Sequence, residues 1–425
     1  MHTALKMSLP SLNNVIVLGG SLSGLMHALV ILEDSPKTKV TILERSPSSL
    51  LHNQGAGVVA GAETQAFFDQ YVRPGRDIAV TSQQRLYLHR NGGIVDGSLD
   101  ERQQRMTSWD LLYRFLRWRV DGMDIGDYLS STSSNGTLQD GVIQNSGSKA
   151  SYQFGCTATN LEDLGESKGV RVTWSDRSQA TQSEVADLVI TSDGASSSIR
   201  SRLRPDVERR YAGYVAFRGT VSETELSSET VSVMSEEFAF FHQSGIQILS
   251  YLIPGDNGSI KPGTRLMNWV WYTNYPDGSP ELEELMTDAH GKRHPITLPV
   301  SKMKPSVWKK QKAYAREVLP PQYAELVQKT THPFVQAITD NICDECVFMD
   351  GMVLMVGDAL AGFRPHTAAS TSQGAFDALT LGRLLRKEID LQEYRQEVLD
   401  FASRVQKHGV VLGERSQFGR HPFAS

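Results

Sequence analysis

The pattern of apolar and polar residues near the start of the chain predicts a strand, a helix and a second strand. The run Asn14 to Leu18 is apolar and ends in glycines, which is typical of a buried parallel strand. Apolar residues recur at helical spacing from Ser23 to Leu32, and a second strand follows from Lys39 to Leu43. Together these segments have the size and order of one βαβ unit.

The middle of the chain has a different pattern. β-forming residues alternate or cluster in four stretches that predict a mainly antiparallel sheet: Gly213 to Glu223, Phe238 to His242, Gln247 to Ile253 and Arg265 to Thr273. The end of the chain returns to a buried strand at Val353 to Val356 and a helix at Thr371 to Lys387. The expected fold is therefore α/β, with a discontinuous Rossmann-type nucleotide-binding domain and an inserted β-rich substrate domain.

The domain boundaries follow from these changes of pattern. The sequence predicts a nucleotide-binding domain at residues 1–80, 106–205 and 343–405, a substrate domain at 81–105 and 206–342, and a C-terminal tail at 406–425. Within the first domain, Trp109 to Val120 reads as an amphipathic helix with Ser108 as its N-cap. The serine- and glycine-rich stretch from Tyr128 to Ala150 reads as a surface loop or hairpin.

Composition narrows the class of partner. The 425 residues carry 43 basic and 48 acidic side chains and a net charge of −5, so no nucleic acid or anionic membrane is expected as a partner. No apolar run is long enough to span a bilayer, because the longest, Val15 to Leu32, is interrupted by glycines and polar residues. Without a signal-peptide pattern at its start, the chain is expected in the cytoplasm.

The three cysteines do not predict a disulfide framework or a metal site. Cys343 and Cys346 form a CxxC, but Cys156 and scattered histidines do not supply a convincing second pair of zinc ligands. The segment also lacks the βαβ context of a thioredoxin-like motif. We interpret them as reduced thiols and expect no metal.

A glycine-rich turn follows the first strand. Gly19-Gly20-Ser21-Leu22-Ser23-Gly24 is a GxGxxG fingerprint with serine in place of the middle glycine, and it leads into a helix whose N-terminal amides favour phosphate. Glu44 ends the second strand twenty residues after Gly24, where a carboxylate accepts hydrogen bonds from an adenosine ribose, and Arg45 is placed to face the adenine. A dinucleotide site is predicted, and the motif fits either NAD or FAD.

Two further motifs complete a recognisable order. Asp193, Gly194, Ser197 and Arg200 spell DGxxSxxR after an apolar strand, and a later strand ends at Gly357-Asp358 with Pro365 close behind. A glycine loop with a ribose acid, then a DG motif, then a GD motif resembles the class A flavoprotein monooxygenases, the aromatic-ring hydroxylases, over about Val15 to Arg404. Finer similarity points to the 2,6-dihydroxypyridine hydroxylase-like branch, on segments that include GGSLSGL (19–25), ERSP (44–47), GAGVV (55–59), TSWDLLYRFLR (107–117), YAGYVAFRGTV (211–221), NWVWYTN (268–274) and RPHTAAS (364–370).

The resemblance implies a fold like that of p-hydroxybenzoate hydroxylase and a set of FAD-binding residues. These are Gly19, Gly20, Ser21, Leu22, Ser23, Gly24, Glu44, Arg45, Val58, Ser108, Asp193, Gly357, Asp358, Pro365, Thr367 and Ala368. Asp358 would bind the ribitol, and Asp193 would lie where FAD and a transient nicotinamide cofactor meet. The chain departs from the family at Ser108, where an arginine is common, and at Ala361, where a histidine is usual.

The family chemistry implies the remaining expectations. NADPH or NADH reduces FAD, O2 adds to the flavin as a C4a-hydroperoxide, and an electron-rich aromatic or heteroaromatic substrate of secondary metabolism is hydroxylated. His366 is the candidate base and Arg218 the candidate partner of an acidic group or of the flavin. Tyr214, His242, Tyr251 and Trp271 are candidate substrate contacts, although strand spacing equally allows the aromatic ones to pack in the core. A homodimer is compatible with the family.

Other functions remain open at this point. An FAD-dependent epoxidase or other oxygenase of a non-aromatic metabolite would use the same framework, and a non-catalytic flavin-binding protein would bind FAD without substrate-stimulated NAD(P)H oxidation. A halogenase is disfavoured, because Tyr272-Thr273 follow Trp269 and Trp271 where a WxWxIP motif is expected. An NAD-dependent dehydrogenase would leave the DG and GD motifs unexplained.

Overall fold

Two β-sheets of different construction form the framework of the protein. The computed structural model describes residues 9, 11–51, 57–129, 149–165 and 168–419. The strands, in chain order, are β1 (Asn14–Leu18), β2 (Lys39–Glu44), β3 (Gly57–Val59), β4 (Val80–Ser82), β5 (Arg85–Tyr87), β6 (Gln104–Ser108), β7 (Ser151–Phe154), β8 (Thr157–Asp163), β9 (Val170–Ser175), β10 (Thr181–Ala186), β11 (Leu188–Thr191), β12 (Arg210–Ser222), β13 (Phe238–Gln243), β14 (Ile246–Ile253), β15 (Leu266–Asn274), β16 (Thr297–Leu298), β17 (Phe334–Ile342), β18 (Val347–Phe348), β19 (Val353–Met355) and β20 (Ala361–Gly362). The α-helices are α1 (Leu22–Asp34), α2 (Ala62–Phe67), α3 (Trp109–Asp121), α4 (Gly126–Leu129), α5 (Ser198–Leu203), α6 (Ser228–Met234), α7 (Pro280–Met286), α8 (Pro305–Val318), α9 (Pro321–Lys329), α10 (Ser370–Leu385) and α11 (Leu391–Gln417).

The first sheet, here called the nucleotide sheet, has six strands in the order β18-β19-β11-β1-β2-β7. β1 pairs in parallel with both β2 and β11, and α1 follows β1 directly, so the predicted βαβ unit is confirmed. Alternation decides the packing of β1: Val15 and Val17 join the core around α1, while Ile16 and Leu18 pack with the small sheet β8–β10. Because both faces are covered, the strand can be apolar throughout.

The second sheet, here called the substrate sheet, follows the order β16-β17-β12-β15-β14-β13-β5, and β20 extends it beside β17. Its pairs are antiparallel except for β13 with β5, which confirms the mainly antiparallel sheet predicted for the middle of the chain. One face carries Phe217, Trp269 and Trp271 against the core that α8 and α9 complete. The opposite face carries Val270 and Tyr272.

Helix α11 corrects the prediction of a tail from residue 406. The helix continues without a break to Gln417, so most of the predicted tail is helical. Its first half buries Leu391, Tyr394 and Val398 in the core of the nucleotide sheet, while Ser416 bonds to the substrate sheet. A strong N-terminal cap at Asp390, with a reciprocal bond from Glu393, starts the helix.

Some predictions fall outside the described residues. The predicted loop after Tyr128 lies mostly at 130–148, Gly55 and Ala56 precede β3, and residues 420–425 follow α11; the structure describes none of these. Among the helices that are described, none combines the length and the apolar character needed to cross a membrane.

Candidate active site

The glycine turn after β1 is built for close approach of backbone to a ligand. Gly19 has φ +101°, and a Cβ there would overlap the Ser192 carbonyl oxygen. A Cβ on Gly24 would overlap the Gly19 carbonyl oxygen, so α1 can lie this close to β1 only because residue 24 is glycine. The first amides of α1, which begins at Leu22, have no carbonyl four residues earlier within the helix, and they form the positive end of the helix dipole.

Glu44 is held beside this turn by two backbone amides. Its Oε2 accepts the Gly20 N–H at 2.8 Å and its Oε1 accepts the Ser46 N–H at 2.7 Å. The side chain is 7% exposed, and the two amides hold its carboxylate in a fixed position beside the turn with lone pairs still to be satisfied. Arg45, the next residue, is exposed. The arrangement fits an acid that accepts ribose hydroxyls.

The GD motif lies at the end of β19, at the same edge of the nucleotide sheet as the turn. Gly357 has φ +58°, and its N–H donates to Asp377 Oδ2 at 2.9 Å while its carbonyl accepts from Gln373. Burial raises the pKa of Asp358, and the charges of Arg209 and Arg200 lower it in part. Within the described part of the chain Asp358 makes no hydrogen bond, so its carboxylate lines a cavity without a protein donor.

These features fit FAD. The orphan amides of α1 suit the diphosphate, Glu44 suits the ribose and Asp358 suits the hydroxyls of the ribitol. The Ser23 hydroxyl, at the start of α1, is also buried without a partner among the described residues. It lies beside Gly357, so the two motifs meet although 334 residues separate them in sequence.

One cavity of about 360 Å³ joins the GD motif to the substrate sheet. Asp358 and the loop at residues 365–370 line one side, and Val58 on β3 lines another. The substrate sheet contributes the aromatic residues Phe238, Phe240, Tyr251 and Tyr272. A planar apolar ring thus has an aromatic enclosure next to the expected flavin position.

His366 lies in the loop beside this cavity. Its Nε2 and the Tyr214 hydroxyl are 2.9 Å apart, and its ring lies 4.5 Å from the Tyr272 ring. Burial, followed by the positive charges of Arg364 and Arg218, lowers the pKa of His366 to about 3. The imidazole is therefore neutral at physiological pH.

Arg218 lines the same cavity from β12. Its Nε is buried without a hydrogen bond in the described part of the chain, and no carboxylate forms an ion pair with it there. Its positive charge lowers the pKa of both Tyr251 and Tyr272, although burial is the larger effect and raises both. The Arg218 guanidinium is therefore a cation in the wall of an aromatic cavity, and among the described residues no carboxylate neutralises it.

Not all predicted site residues lie in this cavity. Trp271 lies on the opposite face of the substrate sheet, where it packs with Phe217 and Tyr314, so the prediction of a substrate contact is wrong. Ser108 caps α3 as predicted, since its Oγ accepts the Leu111 N–H at 3.2 Å, but it opens onto a second, smaller cavity. Asp193 accepts the Ser198 N–H at the start of α5, and a role toward either cofactor stays a prediction.

Several residues that line the cavity were not predicted from the sequence. Tyr272 takes the place predicted for Trp271, because alternation puts residue 272 on the cavity face. Tyr87 and Arg209 lie outside the stretches that were predicted as strands of the middle sheet. Gln247 begins one of those stretches, but it was predicted only as part of a strand. Ser416 belongs to the stretch read as a tail, so no local pattern pointed to it.

All three cysteines are free and buried, and burial raises the pKa of Cys343 and Cys346. In the described part of the chain no group of three His, Cys, Asp or Glu side chains is placed to hold a metal ion.

Comparison with known proteins agrees with this geometry. A family model described as FAD binding domain-like matches residues 211–340. The 2,6-dihydroxypyridine 3-monooxygenase of Paenarthrobacter nicotinovorans is 28% identical over 415 residues, which cover 94% of this chain and 93% of that protein. The solved structure of 2,6-dihydroxypyridine-3-hydroxylase from Arthrobacter nicotinovorans has a TM-score of 0.78 at 26% identity, covering 98% of this chain and 97% of that chain. Klebsiella pneumoniae HpxO complexed with FAD and uric acid shares the fold, with a TM-score of 0.65 at 17% identity over 95% of this chain and 89% of that chain.

The fold, the two-part cofactor site and these relatives indicate an FAD-dependent monooxygenase with the fold of the aromatic-ring hydroxylases, the class A type to which the chain is similar. The resemblance that the three motifs indicated is thereby confirmed. Within the class, the chain is similar to the 2,6-dihydroxypyridine 3-monooxygenases along almost its whole length.

Proposed function

We propose that this protein hydroxylates a small aromatic or heteroaromatic ring that already carries a hydroxyl group, in the manner of a hydroxypyridine. NADPH or NADH is the reductant and O2 the oxidant. One oxygen atom of O2 converts a ring C–H group into C–OH, and the other oxygen atom is reduced to water. NAD(P)H and one proton are consumed. When bound, FAD supplies the redox chemistry, accepting hydride and activating O2.

The observation that carries the proposal is the single cavity that joins Asp358 and the 365–370 loop to the aromatic face of the substrate sheet. A ring held there lies against the expected edge of the flavin. The aromatic side chains shield the ring from water on one side, which disfavours side reactions with solvent. The names of the relatives, a dihydroxypyridine monooxygenase and a uric acid complex among them, support a hydroxylated nitrogen heterocycle.

Among the protein's own side chains, Arg218 has the clearest role in this reaction. A hydroxylated ring is more electron-rich when ionised, and an unpaired guanidinium in an enclosed cavity favours the anionic form. His366 would act as a neutral imidazole in a hydrogen bond with the Tyr214 hydroxyl, because its pKa of about 3 means that it does not hold an extra proton.

The direct test begins with the purified protein. We expect a yellow flavoprotein whose NAD(P)H oxidation rises with a hydroxypyridine or phenol, and a product 16 mass units heavier that takes its label from 18O2. A protein that takes up no FAD, or whose substrate-stimulated oxidation yields only hydrogen peroxide and no labelled product with every ring tested, would contradict the proposal.

Variants of Arg218 test the electrostatic part. Arg218→Met should lower kcat/KM about a hundredfold and raise the apparent pKa of the bound substrate, since the compensating cation is lost. Arg218→Lys should recover part of that loss. Arg171→Met, which removes an exposed arginine paired with Glu162 far from the cavity, is the matched control and should change neither quantity.

A further inference from the structure

One glutamine in the cavity wall has no partner for its side-chain amide. Gln336 faces the cavity from β17, whereas its neighbours Val335 and Ala337 pack in the core on the other face of the substrate sheet. The side chain is half-buried, and within the described part of the chain its amide makes no hydrogen bond. Because an unpaired amide is costly to desolvate, a ligand that fills the cavity must bond to this amide or lose affinity.

The other two glutamines that line the cavity are already bonded to the protein. Gln104 Oε1 accepts from Arg85 Nε at 2.6 Å, and Gln247 Oε1 accepts from the Ser416 hydroxyl at 2.7 Å. Among the glutamines described in this wall, Gln336 therefore has both its acceptor oxygen and its donor nitrogen available. The contrast separates an amide placed for a ligand from amides that complete the fold.

Arg218 lies close enough to Gln336 to act on the same ligand. β12 and β17 are antiparallel with Arg218 opposite Phe334, so Gln336 is the diagonal neighbour of Arg218 on the cavity face. Such neighbours lie about 7–8 Å apart, and two long side chains can converge on one small ring from that separation. A cation and a neutral amide, both without a bond to the described protein, thus border the same part of the cavity.

The row that crosses the sheet from Gln336 has the width of a single ring. Ala216 on β12 lies opposite Gln336, and Tyr272 on β15 lies opposite Ala216. Two strand spacings of about 4.8 Å separate Gln336 from Tyr272 by about 10 Å. The Tyr272 ring lies 4.5 Å from the ring of His366, in the loop on the expected flavin side. A six-membered ring bonded to Gln336 at one edge can therefore direct its opposite edge toward the flavin.

A glutamine amide is complementary to one kind of ring edge in particular. It offers an acceptor oxygen and a donor nitrogen side by side, as glutamine does when it bonds to the edge of a nucleic-acid base. A ring lactam offers the matching pair, a donor N–H next to an acceptor carbonyl. A phenol has no donor in its ring, so it satisfies at most one end of the Gln336 amide.

We propose that Gln336 recognises the substrate as a lactam, with its Oε1 accepting the ring N–H and its Nε2 donating to the adjacent carbonyl oxygen, while Arg218 binds a second, ionised oxygen. The inference rests on the proposed function and narrows it from hydroxylated rings in general to hydroxylated heterocycles in the pyridone form. Gln336 acts in recognition and takes no part in oxygen transfer.

A matched pair of rings tests the recognition by affinity. Resorcinol has the two oxygens of 2,6-dihydroxypyridine but a C–H group in place of the ring nitrogen. The FAD-loaded protein, followed by the flavin absorbance change, should bind the pyridine at least about tenfold more tightly than resorcinol. Gln336→Met, which keeps the length of the side chain, should raise the dissociation constant of the pyridine about tenfold and leave that of resorcinol unchanged or lower.

The bound ligand itself gives a second readout that does not require turnover. In complex with the FAD-loaded protein, 15N-labelled 2,6-dihydroxypyridine should carry a proton on its nitrogen, and hydrogen bonding to Gln336 should move that proton signal downfield. The downfield shift should be lost in Gln336→Met. A bound ring whose nitrogen carries no proton in the wild-type complex would overturn the inference.

Controls separate this inference from the proposed function. Gln182→Met replaces an exposed strand glutamine that is bonded to Asp176 in the small sheet, and it should change neither dissociation constant nor the NMR signal. Equal weakening of both rings by Gln336→Met would overturn lactam recognition and leave the hydroxylase intact. Selective binding of the pyridine through Gln336, without 18O in any product, would instead refute the proposed function while the recognition stands.

Discussion

Asp377 offers a quantitative test of how the GD motif is supported. Its side chain is fully buried in α10, and its Oδ2 accepts the Gly357 N–H at 2.9 Å. Burial raises the pKa of this carboxyl from 3.8 to about 7, and the bond from Gly357 offsets part of that effect. Asp377→Asn keeps an acceptor for Gly357 and removes the charge.

The sign and size of the effect follow from proton linkage. Between pH 3.8 and about 7 the folded protein holds a proton on Asp377 that the unfolded chain has released, so the free energy of unfolding falls as pH rises. Each pH unit lowers the free energy of unfolding by up to about 1.4 kcal/mol, and by less as pH nears the folded pKa. The wild-type protein should therefore lose about 2 kcal/mol of stability from this group between about pH 5 and pH 7. Well above the folded pKa the contribution becomes constant.

Urea unfolding of wild-type and variant proteins at about pH 5, 6, 7 and 8 measures this difference. The Asp377→Asn variant should gain about 2 kcal/mol relative to wild type between about pH 5 and pH 7, and little more at higher pH. Asp400→Asn, at an exposed carboxylate bonded to Gln396, is the control and should show a constant offset. If the stability difference between the wild type and Asp377→Asn does not vary with pH, the assignment of a neutral, buried acid beneath Gly357 is refuted.

Three other results should follow. Trp271→Leu should lower the free energy of unfolding by about 2–4 kcal/mol with an unchanged KM, whereas Tyr272→Leu should raise KM about tenfold, and the reverse pattern would contradict the assigned faces of β15. Cys343 and Cys346 should resist Ellman's reagent in the folded protein and react only after denaturation, because burial raises the pKa of both thiols; rapid labelling of the native protein would contradict this. Asp358→Asn should weaken FAD binding at least about tenfold in a fluorescence titration, and an unchanged affinity would remove the aspartate from the cofactor site.

Local patterns accounted for much of the fold and for part of the site. The bounds of β1 and the glycine turn at Gly19 could be read directly, because a buried parallel strand and a phosphate-binding turn each place strict demands on neighbouring residues. Ser108 was also correctly identified as a helix cap. The order of the motifs then led to the cofactor, since the strand that precedes Asp358 runs parallel to β11 and ends at the same edge of the sheet.

The remaining site residues depend on contacts that a linear pattern does not contain. Alternation along β15 separates Trp271 from Tyr272, but it does not tell which of the two faces meets the cavity. Ser416 meets Gln247 across 169 residues, at the end of a helix whose length could not be deduced from its weakly apolar C-terminal half. Only the packing of α11 on both sheets shows that contact.

The length of α11 has a mechanical consequence. At about 1.5 Å per residue its 27 residues reach about 40 Å, from a start embedded beneath the nucleotide sheet to a last turn bonded to β14. Because one continuous helix packs on both sheets, it resists rotation of the part built on the nucleotide sheet relative to the part built on the substrate sheet. The two halves are therefore expected to melt in one calorimetric transition, and small molecules to enter by movement of short loops rather than by a hinge.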